Sequence, residues 1–80
     1  MTASQAISRR IEELCSKHDL KINALANHAG VTPSTLYSIL SEKSSNPGIV
    51  TIQKLCDGLG ISLRKFFDCA VFDQVDQEIV

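Results

Sequence analysis

Two short segments with helical apolar spacing meet at a glycine near the middle of this 80-residue chain. The stretch is KINALANHAGVTPSTLYSIL, residues 21–40. In its first half, Leu25, Ala26 and Ala29 share one helical face. Gly30 follows directly, and glycine readily takes the left-handed backbone that ends a helix. The pattern therefore predicts a short helix, an end at Gly30 and a tight turn.

The second half of the stretch predicts another helix, beginning at Pro33. Thr32 can accept a hydrogen bond from the first free N–H groups as N-cap, and the fixed φ of Pro33 suits the first helical position. Helical phase then brings Ile39 and Leu40 to within about 60° of Leu36 and the serines to the opposite side. The apolar set is Leu36, Ile39 and Leu40, the serine set is Ser34, Ser38 and Ser41, and Thr35 and Tyr37 lie on the flanks.

Two helices joined in this way are the sequence outline of a helix-turn-helix, which points towards duplex DNA. Small hydroxyl side chains allow a helix to enter the major groove, where Ser and Thr can bond to base edges. An ordinary amphipathic helix with a solvated serine face has the same pattern. Periodicity alone does not separate these interpretations.

Size and composition limit the other classes. A single domain of 80 residues has a core too small to hold itself together and also enclose a deep catalytic cleft, so we do not expect an enzyme. Hydrophobic content of 44% with 21% charged residues is typical of a globular chain. No apolar run approaches the ~18 residues of a membrane span, and we expect no membrane association.

The cysteines and histidines predict neither a disulfide framework nor a metal site. Three cysteines are an odd number, and the N-terminus lacks the pattern of a signal peptide, so we expect reduced thiols in a cytoplasmic protein. The histidines and cysteines lack the spacing of a zinc site, and no glycine-rich phosphate or cofactor turn is present. We therefore expect no metal and no cofactor. The residues concerned are Cys15, Cys56, Cys69, His18 and His28.

Three further helices are predicted outside residues 21–40. The first spans about residues 3–18, and a later pair lies between Gly48 and residue 68, separated at Gly60 and with Ser62 as the last N-cap. Inward positions are Ile7, Ile11, Leu14 and His18 in the first helix, Ile49, Ile52, Leu55, Cys56 and Leu59 in the fourth, and Leu63, Phe66 and Phe67 in the fifth. No segment alternates as a strand does. The prediction is an all-α fold of five helices, with the helix-turn-helix at helices 2 and 3.

The order of these motifs resembles the lambda-repressor and Cro type of helix-turn-helix family, also called the XRE family. The resemblance rests on INALANHAGVTPSTLYSIL, on a polar loop closed by Asn46-Pro47, and on TIQKLCDGLGISLRKFFD. It covers about Ile7 to Asp68. It implies a five-helix domain that binds double-stranded operator DNA, usually as a dimer, with the third helix in the major groove.

The resemblance also implies which residues touch DNA. Base-reading positions correspond to Pro33, Ser34, Tyr37 and Ser38. Phosphate-contacting positions correspond to Asn23, Thr32, Thr35, Lys43, Ser44 and Ser45. For Lys43 the alternative is an ordinary solvated loop charge.

Four positions depart from the family's pattern. Ile22 stands where a Gln often opens helix 2, and Glu42 stands where a Gly commonly ends the recognition helix. Cys15 and Leu40 occupy the positions of an Arg and a Glu that pair in many members. An apolar contact is expected to replace that ion pair, a change that is often neutral or stabilising.

Charge separates a domain at residues 1–68 from a tail at 69–80. Residues 1–67 contain eight basic and five acidic side chains, a net charge of +3, whereas residues 68–80 carry four acids and no base. The tail also places Phe72, Val75 and Ile79 at i, i+3 and i+7, and Ala70-Val71-Phe72 could equally form a strand. It could form a subunit interface together with Val50, pack back on its own domain, or fray.

The sequence thus favours a sequence-specific DNA-binding transcriptional regulator, a repressor that binds an inverted-repeat operator as a homodimer. The alternative is a protein-interaction module, such as the antitoxin or antirepressor-binding half of a complex. A protein partner could then bind through the tail.

Overall fold

A computed structural model describes residues 1–41 and 46–79, and over these ranges the chain is helical with no strand. Five α-helices follow one another: α1 (Ala3–Lys17), α2 (Ile22–Ala29), α3 (Pro33–Leu40), α4 (Ile49–Leu59) and α5 (Leu63–Phe67). A 3₁₀ helix (Ala70–Gln74) comes last. The predicted all-α, five-helix fold is confirmed. The expectations for Glu42, Lys43, Ser44 and Ser45 lie outside the described residues.

The helix ends lie where local chemistry places them. Thr2 and Gln5 form a reciprocal capping box at the start of α1, with Gln5 N donating to Thr2 Oγ1 at 3.2 Å and Thr2 N donating to Gln5 Oε1 at 2.8 Å. Gly30 (φ 70°) and Gly60 (φ 71°) end α2 and α4 in the left-handed conformation, which glycine adopts without a Cβ penalty. Ser62 caps α5 as predicted.

One hydrophobic core joins all five helices, and α2 packs most closely against α4. Its members are Ile7, Ile11, Leu14, Cys15, Leu25, Ala26, Ala29, Leu36, Ile39, Ile52, Leu55, Cys56, Leu59 and Phe66. Leu40 and Leu63 pack partly buried against it. The core thus takes one face from each helix, which leaves the opposite face of α3 to solvent.

Three expectations about the core are wrong. His18 is exposed because it is the C-cap of α1 and lies beyond its last turn. Ile49 is 57% exposed because it is the first residue of α4 and precedes the part of that helix that packs in the core. Phe67 is 39% exposed, although its ring lies 5.0 Å from that of Phe66.

The tail follows the packing-back alternative. Residues 70–74 form a 3₁₀ turn against α1 rather than a strand. Phe72 is half-buried, with its ring centroid 5.0 Å from that of Phe67 and 6.1 Å from that of Phe66. Asp76 N donates to the Met1 carbonyl oxygen at 2.9 Å. Ile79, beyond these contacts, is 87% exposed.

Candidate nucleic-acid interface

Three hydroxyl groups are linked at the start of α3. Thr32 is the N-cap and accepts a hydrogen bond from Thr35 N at 3.2 Å. Its Oγ1 also lies 2.8 Å from Thr35 Oγ1 and 3.3 Å from Ser34 Oγ. Because each hydroxyl can both donate and accept, the linked set retains capacity for an outside partner such as a phosphate oxygen.

The outward face of α3, which we define as Pro33, Ser34, Tyr37 and Ser38, unites the four predicted base-reading residues. All four are exposed, and Tyr37 is 51% exposed despite its large ring. Leu36 and Ile39 on the opposite side are buried, so helix phase fixes which side chains meet solvent. The face presents hydroxyl groups, an apolar ring edge and no charged side chain.

Asn23 and Tyr37 line the same groove, which places Asn23 on the same side of the molecule as the outward face of α3. It is the second residue of α2 and is exposed. The N-cap Lys21 makes no side-chain hydrogen bond to the first turn, so the first-turn N–H groups of α2 have no cap of this kind and suit an anion. A groove of about 460 Å³ lies between α1, the start of α2 and α3. Its lining residues are Glu12, Cys15, Leu20, Lys21, Ile22, Asn23 and Tyr37.

The buried thiols of Cys15 and Cys56 are uncharged at neutral pH. Burial raises the pKa of the Cys15 thiol, and the carboxylate of Glu12 raises it further. Burial also raises the pKa of Cys56, with a smaller contribution from Asp57. Both thiols are therefore neutral at pH 7, and Cys15 forms an uncharged wall of the groove beside Asn23 and Tyr37.

Two buried polar residues bond to helix ends and were not identified from the sequence. Ser8 Oγ donates to the Ile39 carbonyl oxygen at 3.0 Å, with the Leu40 carbonyl oxygen at 3.2 Å, at the end of α3. Arg10 bonds to backbone carbonyl groups at the end of α5. Ser8 lies three residues before Ile11, and Arg10 lies four residues before Leu14, so both share a helical face with core residues. This helical phase is the sequence signal that could have identified their burial.

Neither a candidate metal site nor a membrane-spanning helix is found in residues 1–41 and 46–79. This part of the chain contains no group of three or more His, Cys, Asp and Glu side chains that could hold a metal ion. Nor does it contain a helix with the length and hydropathy needed to cross a membrane.

Comparison with known proteins agrees with the geometry. Residues 10–70 match a family model described as a Cro/C1-type HTH DNA-binding domain. A solved structure, that of prophage Lp1 protein 11, superposes with a TM-score of 0.79 at 38% sequence identity. The match covers 86% of this chain and 91% of that one. No curated protein matches the chain.

Proposed function

The chain belongs to the Cro/C1-type helix-turn-helix DNA-binding family, and from this premise we propose that it is a transcriptional repressor that acts by occupying a specific operator. The observation that supports this proposal is the outward face of α3. That face exposes Ser34, Tyr37 and Ser38 on one side of a helix whose other side is held in the core. A helix with small side chains on its free side can lie deep in the major groove.

The proposed contacts divide into base reading and positioning. Ser34, Ser38 and Tyr37 offer hydroxyl groups to base edges, and Pro33 offers an apolar surface to a thymine methyl group. Thr32 is the N-cap of α3, and Thr35 and Asn23 lie in the first turn of α3 and of α2, where hydroxyl groups, an amide and free N–H groups suit phosphate oxygens. Lys43, Ser44 and Ser45 are proposed to add phosphate contacts from the loop.

Two copies are proposed to bind together. The outward face lacks the Arg and Gln side chains that bond bidentately to bases, and the chain carries a net charge of −1. Both features predict modest affinity for each subunit, and a second linked site would raise the apparent affinity. Two recognition helices about 34 Å apart would read an inverted repeat.

The subunit interface is proposed to include the exposed aliphatic side chains of Val50, which is 60% exposed, and Ile79. Sedimentation of the full chain with Val50→Asp or Ile79→Asp tests this assignment, because a buried unpaired carboxylate would dissociate a dimer. Ser16→Asp, an exposed change on α1, is the matched control. A dimer that persists in both test variants would exclude these residues from the interface.

A selection experiment tests DNA reading itself. We expect the purified chain to enrich a sequence from a pool of random duplexes. Ser34→Ala and Ser38→Ala should each reduce the preference for that sequence over the unselected pool by about fivefold, the value of a lost hydrogen bond of roughly 1 kcal/mol. Ser16→Ala, an exposed serine of α1, is the matched control and should leave the preference unchanged. If nothing is enriched, the repressor proposal fails.

The alternative function is a protein-interaction module, such as the antitoxin or antirepressor-binding half of a complex, in which DNA binding is secondary. The adjacent exposed side chains of Ile49 and Val50 favour it, since neighbouring apolar side chains on a surface often mark a protein contact. The same selection separates the two functions. A module of this kind would enrich a sequence weakly or not at all, whereas the repressor would enrich one strongly.

A further inference from the structure

The end of the recognition helix is held by a buried side chain from another helix. Ser8 of α1 is only 2% exposed, and its Oγ lies 3.0 Å from the Ile39 carbonyl oxygen and 3.2 Å from that of Leu40. A hydroxyl group has one proton, so the two carbonyl groups share one donor. These residues are 31 and 32 positions away in sequence, which makes the contact a tertiary link between α1 and α3.

Among the described residues, Ser41 and Ser8 donate hydrogen bonds to the carbonyl groups of the last turn of α3. The last four carbonyl groups of any helix lack the usual intrahelical donor. In α3, Ser41 N donates to the Tyr37 carbonyl oxygen at 2.8 Å and Ser41 Oγ donates to that of Ser38 at 3.0 Å. Ser8 Oγ reaches the other two, those of Ile39 and Leu40, and the Ser41 N–H is also directed at that of Ile39.

As far as Ser41, the end of α3 carries neither a basic side chain nor a left-handed residue. Ser41, its C-cap, has a right-handed backbone (φ −78°, ψ −3°), whereas glycine in the left-handed conformation follows α2 and α4. The contact with Ser8 ties two carbonyl groups of the final turn of α3 to α1.

We propose that Ser8 is a positioning residue for DNA reading: its hydroxyl group fixes the end of α3 against α1 and so sets the orientation of the outward face. This inference rests on the function proposed above. Ser8 lies on the core side of α3 and does not itself reach DNA. A small rotation or fraying of α3 would displace the hydroxyl groups of Ser34 and Ser38 together, and hydrogen bonds weaken steeply when distance and angle depart from their preferred values.

The variant Ser8→Ala removes the hydroxyl group and keeps the Cβ that packs in the core. Its control is Phe66→Leu, a change in a fully buried side chain of α5 that lowers global stability without altering the Ser8 contact. Both full-length variants are compared at a temperature where circular dichroism shows them to be folded. The probe is the duplex that the wild-type chain enriches from a random pool, measured against an unselected duplex.

We expect Ser8→Ala to reduce the ratio of the two affinities about three- to tenfold, in line with the loss of one buried hydrogen bond, while Phe66→Leu preserves the ratio. Amide hydrogen exchange gives a second measurement without DNA. The amides of Leu40 and Ser41 should exchange faster in Ser8→Ala relative to amides of α4, and this local effect should be absent in Phe66→Leu.

The outcomes separate the two proposals. An affinity ratio in Ser8→Ala equal to that of the control overturns the positioning role and leaves the repressor proposal intact. Unchanged exchange at the end of α3 overturns the structural link on which the positioning role depends. If the wild-type chain enriches no duplex, the repressor proposal fails, and Ser8 then has no role in DNA reading.

Discussion

Arg10 Nε donates a hydrogen bond of 2.7 Å to the carbonyl oxygen of Phe66. The same guanidinium group donates to the Lys65 carbonyl oxygen at 2.9 Å through Nη2 and pairs with Glu13 through Nη1. Arg10 is 4% exposed, so its charge is buried with three partners. The planar fork of Arg suits this arrangement, in which one side chain of α1 closes the end of the short helix α5.

We expect Arg10→Ala to lower the free energy of unfolding by about 3 kcal/mol, because two buried carbonyl groups lose a charged donor. Arg10→Lys keeps the charge but has a single nitrogen, and it should restore only part of the loss. Urea unfolding monitored by circular dichroism gives both values. A loss below about 0.5 kcal/mol in Arg10→Ala would show that the guanidinium contacts do not stabilise the fold.

Gly58 allows α2 and α4 to approach closely. A Cβ built at this position would lie 2.9 Å from Ala29 N and 3.1 Å from Ala29 Cα, and backbone atoms cannot move aside as a side-chain tip can. We expect Gly58→Ala to destabilise the fold by about 2 kcal/mol, although Ala favours a helix over Gly by about 1 kcal/mol. Thermal unfolding measures the change.

Gly48→Ala is the matched control, because a Cβ at Gly48 meets nothing within 4 Å. Its effect should stay below about 1 kcal/mol, the cost of a poorer N-cap. A stabilised Gly58→Ala protein would mean that helix propensity outweighs the close approach of the helices.

Phe72 is predicted to carry most of the stabilising effect of the tail. Its ring contacts those of Phe66 and Phe67, so Phe72→Ala should cost about 2 kcal/mol in urea unfolding, less than a fully buried Phe would. Ile79→Ala removes an 87% exposed side chain and should change stability by less than about 0.5 kcal/mol. Equal effects of the two variants would contradict the packing of the 3₁₀ turn on the core.

The buried thiols predict a loss of stability in alkali. Burial raises the pKa of Cys15 and Cys56 above the ordinary value of 9.0, so the unfolded chain releases these protons at lower pH than the folded chain does. Their contribution is complete below about pH 9 and is lost as the pH rises towards the folded-state pKa values. Urea unfolding at pH 7.5 and pH 10 should show this decrease.

Variants separate the thiols from other groups that titrate in alkali. The double variant Cys15→Ala and Cys56→Ala should show a smaller decrease between the two pH values. Cys69→Ala, which leaves both buried thiols in place, is the control variant. An identical pH dependence in the double variant would refute the role of the two buried thiols.

Local signals in the sequence predicted the helix-turn-helix well. Thr32, Pro33 and Gly30 determine helix ends through their own backbone chemistry, and the phase of Leu36 and Ile39 then determines which face of α3 is free. These features depend on residues within a few positions of one another. They could therefore be read without knowledge of the tertiary fold.

Features set by distant partners could not be predicted in this way. Periodicity predicts which face of a helix is buried, but it does not predict how far along that helix the packing against its neighbours extends. For this reason the core positions predicted for His18 and Ile49 are wrong. Arg10 and Ser8 are polar, and their burial depends on carbonyl groups more than 30 positions away. The tail contains spacing compatible with several structures, and contacts with Phe66, Phe67 and α1 select the 3₁₀ turn.

The outward face of α3 is proposed to contact DNA bases. The most direct measurement is a titration of the ¹⁵N-labelled chain with the duplex it selects, followed by amide chemical shifts. We expect the largest changes at Ser34, Tyr37 and Ser38, with further changes at Asn23 and small ones in α5. Changes concentrated in α5 and the 3₁₀ turn, with α3 unaffected, would contradict the claim.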